Sequence, residues 1–149
     1  MIVKGYKLKH EFPNESYIQE SLESYFTTLG FRLIKEKTID LKCIHPDSNE
    51  TWIIEIKGKT SQIGLDFRTC LGQIILRMNN DNYTYAIAMP DIEQYRKQIL
   101  NVPIMITNKL NLNWILVQEN GSVNIIRKKN RLPRLSGLAQ QFTGLKTSF

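Results

Sequence analysis

Three side chains near the middle of the chain have types and spacing that could do chemistry together. Asp40 lies in an alternating segment, residues 38–45, while Glu55 and Lys57 stand two apart in a second, residues 51–57. Carboxylates are hard oxygen donors suited to a divalent cation. An amine two positions along the same strand face could orient a water or help remove its proton. For this the two acids must meet. Between the segments stands Pro46-Asp47-Ser48-Asn49, a turn by composition. If these four residues are the loop, His45 pairs with Glu50, paired numbers sum to 95, and Asp40 falls opposite Glu55. Opposed residues have Cβ atoms about 4.5–5.5 Å apart, and two carboxylates that close repel unless a positive charge lies between them. A loop of odd length would undo the pairing by turning every side chain to the other face. The competing reading is an edge hairpin with both acids solvated and a chance Glu-x-Lys.

The elements that must position these groups can be read from periodicity. Residues 14–29 predict a helix with Ile18, Leu22, Tyr25, Phe26 and Leu29 on one face, started by Pro13-Asn14 and stopped by Gly30. Short strands follow at 31–34, 38–45 and 51–57, then a polar loop at 58–64. Residues 65–79 predict a second helix with a core face of Phe67, Leu71, Ile74 and Met78. A strand at 83–89, a short helix at 92–100, and strands at 114–118 and 123–127 around an Asn120-Gly121 turn complete the pattern. Trp52 and Trp114 fall in strand patterns and are expected in the core. The order is that of an α/β fold, a mixed central sheet with helices on its faces.

Composition narrows the classes. The chain has 149 residues, 42% apolar, which suits one domain and a modest core. No apolar run approaches the roughly 20 residues of a membrane span. The opening Met1-Ile2-Val3-Lys4 runs straight into charge, so no secretory leader is expected. Cys43 and Cys70 sit inside apolar patterns and read as buried free thiols of a reducing cytoplasm. The net charge is +6, from 20 Lys plus Arg and 14 Asp plus Glu. Six of the basic residues, Arg127, Lys128, Lys129, Arg131, Arg134 and Lys146, lie after residue 125, where there is no acid. Removing them leaves 14 against 14. We expect one domain at 1–127 and a basic arm at 128–149, either a polyanion contact or a solubilising tail.

Asp40 followed by Glu55-Ile56-Lys57, between an opening helix and a second helix, resembles the PD-(D/E)xK nuclease superfamily over residues 14–91. The resemblance implies a restriction-endonuclease-like core of αβββαβ order, with an added C-terminal hairpin and basic arm here. It implies Mg2+, with Mn2+ as a substitute, held by Asp40, Glu55 and the Ile56 carbonyl, and Lys57 as catalytic lysine. Ile39 stands where the family sometimes has Pro. Many members add a Glu from the first helix. Glu15, within about 40° of the apolar face at 100° per residue, is the candidate, although an acid in a first helical turn also has a purely local rationale. Many also carry a Gln on the second helix, here Gln73, four residues before Arg77. Phe67 to Gln73 looks like the branch holding XisH-type DNA-excision factors. The activity implied is metal-assisted hydrolysis of DNA, with Lys42, Lys59, Arg68, Arg77 and the arm's Arg127, Lys128, Lys129, Arg131 and Arg134 on phosphates. Cutting a duplex would require a homodimer or a partner subunit. The alternative is a noncatalytic DNA-binding or accessory protein of excision or mobile elements on the same fold.

Overall fold

A computed structural model of the protein describes residues 11–127. Spacing of three and four places Ile18, Leu22 and Phe26 on the buried stripe of α1 (Glu15–Thr28). Tyr25 is only half-buried and Leu29 is 50% exposed, because Leu29 lies past the last turn. Gly30, at φ 96°, reverses the chain there, and the Phe31 N–H donates to Phe26 O at 3.0 Å. Three strands follow: β1 (Arg32–Glu36), β2 (Ile39–Ile44) and β3 (Thr51–Ile56). Next come α2 (Ile63–Leu76), β4 (Thr84–Pro90), α3 (Glu93–Leu100), α4 (Ile104–Leu110), β5 (Leu112–Val117) and β6 (Val123–Ile126).

The strands form one six-stranded sheet in sequence order. The β1–β2, β2–β3 and β5–β6 pairs are antiparallel, and β3–β4 and β4–β5 are parallel. This is a mixed α/β fold with the αβββαβ order of a restriction-endonuclease-like core and a C-terminal hairpin added. β3 and β5 are buried along their whole length, as parallel strands covered on both faces are. Helix α1 closes one face over Leu41, Cys43, Trp52, Ile54 and Ile56. On the other face Phe67, Cys70 and Ile74 of α2 and Tyr95 of α3 pack on Ile53, Ile87 and Trp114. Cys43 and Cys70 are free and belong to cores on opposite sides of the sheet. Both tryptophans are core residues, 1% and 0% exposed. Among the described residues no helix is long and apolar enough to cross a membrane.

Two sequence expectations need correction. The inward stripe of α2 is Phe67, Cys70 and Ile74, while Leu71 and Met78 are only half-buried and Met78 lies beyond the helix. Helix α4 has no counterpart in the pattern reading. Its apolar Ile104, Met105 and Ile106 are 53%, 61% and 38% exposed while Thr107 is buried, so it offers no inward apolar stripe to detect.

Candidate active site

The β2–β3 register decides what the site can be. Leu41 pairs with Ile54, Lys42 with Ile53 and Cys43 with Trp52, and His45 N donates to Glu50 O at 2.9 Å. The loop is the even one, and Asp40 reaches the Glu55 end of β3. There its Oδ2 accepts the Ile56 N–H at 2.8 Å. The hairpin is not an edge: β4 lies on the far side of β3 and pairs Ile87 with Glu55. Glu55 is consequently 3% exposed, whereas Asp40 is exposed. Burial, reinforced by the Asp40 carboxylate, pushes the Glu55 carboxyl up to about 7. Arg77 opposes this, its Nε lying 2.9 Å from Glu55 Oε2.

Lys57 follows the end of β3, and its N–H donates to Ala88 O at 2.9 Å, so the chain stays tied to β4. Its Nζ is 4.0 Å from Glu15 Oε1. Partial burial raises the Glu15 carboxyl, Lys57 pulls it back and Asp40 adds to the rise. Helix α1 lies on the opposite face from α2. Glu15 reaches the group around the end of β3 because Gly58 packs against the first residues of α1 and Lys59 N donates to Pro13 O at 2.9 Å. The Tyr95 hydroxyl fixes the same turn from α3, donating to Gly58 O at 2.8 Å.

The structure therefore brings together Asp40, Glu55, Lys57 and Glu15. Arg77 joins them, but as the partner of a carboxylate. Gln73 is exposed and, among the described residues, makes no hydrogen bond to Asp40, Glu55 or Lys57. Lys42 shares the face of Asp40 yet pairs with Glu36 at 2.6 Å, and its Nζ lies 5.7 Å from the Tyr83 ring centre. Lys59 and Arg68 are exposed. The Arg127 guanidinium lies 5.2 Å from the Trp52 ring centre. Lys128, Lys129, Arg131 and Arg134 fall outside the described residues.

The Glu55–Arg77 pair is what pattern reading missed. The signal was there: Arg77 continues the inward stripe 67, 70, 74 by three. The face drawn through Leu71 and Met78 hides it. Tyr95 carried no signal of its own, since its role depends on where Gly58 comes to lie.

Among the described residues no group of three or more His, Cys, Asp and Glu side chains is arranged to hold a metal ion. The donors that the sequence resemblance implies, Asp40, Glu55 and the Ile56 carbonyl, would all offer oxygen. That set fits Mg2+, which keeps several of its waters and takes one or two carboxylates from the protein.

No family model and no curated protein matches the sequence. Among solved structures the chain is similar to an XisH family protein from Nostoc punctiforme, with a TM-score of 0.54 and 16% identity over 74% of this chain and 98% of that one. At that identity the likeness is one of fold.

Proposed function

We propose that the protein is a Mg2+-dependent DNA nuclease of the PD-(D/E)xK superfamily. The observation that carries the reading is the β2–β3 register, which sets Asp40 beside Glu55 at the end of the strand that Lys57 leaves. Asp40, Glu55 and the Ile56 carbonyl would hold Mg2+, which when bound would supply Lewis acidity toward the phosphodiester. Lys57 Nζ donates a hydrogen bond that orients the attacking water, and Glu15 keeps the ammonium aimed. The water oxygen bonds to phosphorus in line and its proton leaves to solvent, while the opposite P–O bond breaks with its electron pair going to the leaving oxygen, which takes a proton from solvent to become a hydroxyl. The buried side of Glu55 limits competing hydration and strengthens these charge interactions. Exposed Lys59 and Arg68, with the basic arm, contact phosphates without regard to sequence, so binding weakens steeply with salt. Cutting both strands takes two sites, supplied by a second copy or a partner subunit.

Two observations favour a second reading, a noncatalytic DNA-binding or accessory protein of DNA excision on the same fold. Arg77 already engages the carboxylate that a metal needs, and the fold likeness is to an XisH family protein.

Incubation with supercoiled plasmid and Mg2+ or Mn2+ separates the two. The nuclease reading expects nicking by the wild type and at least a hundredfold less by Lys57→Ala. Equal cutting by the variant removes the mechanism. A wild type inert on plasmid, branched and single-stranded DNA favours the accessory protein.

A further inference from the structure

Arg77 stands between two environments. Toward the sheet it gives its Nε to Glu55 Oε2 at 2.9 Å. It also lines a cavity of about 360 Å³ with Glu36, Lys42, Asn79 and Tyr83, on the α2 side of the carboxylate pair. The cavity is large enough for a phosphate group and its first waters. It holds two cations, each already paired: Lys42 with Glu36 and Arg77 with Glu55. The Arg77 side chain is 24% exposed against 3% for its partner, so only the arginine can leave without stranding itself.

A guanidinium and a divalent cation gathered on one buried carboxylate repel each other, so loading the cation loosens the hold of Glu55 on Arg77. An arginine whose carboxylate is taken must find another anion, and the planar fork of its guanidinium matches a phosphate. We infer that Arg77 exchanges partners, from Glu55 to a backbone phosphate in the Lys42–Tyr83 cavity, and that this exchange couples loading of the divalent cation to binding of DNA. The inference rests on the metal site proposed above. Before DNA binds, Arg77 shields Glu55 and keeps cation affinity low. A phosphate in the cavity draws the guanidinium away and opens Glu55 to the ion. Arg77 thus acts through Glu55, as a positioning residue, and binding free energies coupled in this way must be reciprocal.

The test is a calorimetric titration with Ca2+, which replaces Mg2+ without requiring turnover, on wild type and Arg77→Gln, each alone and with a saturating short DNA duplex. Circular dichroism verifies that the variant is folded, and Arg77→Lys, which keeps the charge without the fork, replaces it if it is not. Removing the guanidinium should tighten Ca2+ binding to the protein alone roughly tenfold, about 1.4 kcal/mol. DNA should tighten Ca2+ binding to the wild type by a similar factor and to the variant by several-fold less. Equal Ca2+ affinities of the two proteins alone, or equal gains on adding DNA, overturn the inference while leaving the metal site standing. An absence of Ca2+ binding to either protein overturns both.

Discussion

Gly58 and Glu15 are in backbone contact: a Cβ at position 58 would stand 2.2 Å from Glu15 N and 2.7 Å from its Cα. This contact lets an acid on α1 reach a lysine at the end of β3, although α1 and α2 lie on different faces of the sheet. Gly58→Ala must therefore push the start of α1 away. We expect a loss of about 1–3 kcal/mol in urea unfolding, together with reduced nuclease activity. Gly72, in α2, is the control, since a Cβ there meets nothing within 4 Å. Gly72→Ala should stabilise by about 0.5–1 kcal/mol.

Glu15 and Lys57 form a loose pair, 4.0 Å apart with side chains 54% and 30% exposed. Such a pair contributes under about 1 kcal/mol to stability. Glu15→Gln should therefore leave the unfolding midpoint nearly unchanged, while misaiming Lys57 and slowing plasmid nicking about tenfold to a hundredfold. A fall in stability equal to the fall in activity would give Glu15 a role in the helix alone.

The hairpin was legible in the sequence because its information is local. Four turn-forming residues set the loop, the loop sets the register, and the register sets Asp40 against Glu55. The helix carrying Glu15 was legible for the same reason, through the spacing of Ile18, Leu22 and Phe26. What was not legible depends on contacts distant in sequence. The Arg77 pairing spans 22 residues and one sheet face. The burial of Glu55 depends on β4 joining β3 in parallel, which no pattern inside β3 announces. Gln73 shows the converse: four residues from Arg77 on the same helix, it remains exposed.

Cys70 lies in the core beneath the site, and its thiol is raised to about 12 chiefly by burial. Cys43 is raised to about 12 for the same reason on the other face. Neither is a thiolate at neutral pH, so both should resist a disulfide reagent at about pH 8 in the folded protein and react at once in guanidinium. Prompt reaction of one thiol in the native state would show that its helix or strand opens locally.

Asp91, after β4, is held below its ordinary value by the Arg96 guanidinium, which contacts it at 2.5 and 2.9 Å. A depressed carboxyl stabilises the fold above its unfolded pKa of 3.8, and that contribution is lost as pH falls through the lower folded value. Arg96 is more than half exposed, so the contribution is under about 1 kcal/mol. The thermal midpoint of the wild type should exceed that of Asp91→Asn near neutrality, and the gap should close only as the pH falls below 3.8. A constant gap would assign the stabilisation to something other than this charge.

The most direct measurement is a crystal soaked in Mn2+ and recorded at the manganese absorption edge. The account predicts an anomalous peak with Asp40 and Glu55 as ligands at about 2.1–2.3 Å, Lys57 Nζ beside it, and the Arg77 guanidinium moved off Glu55. No peak at saturating Mn2+, with Arg77 still on Glu55, would contradict it.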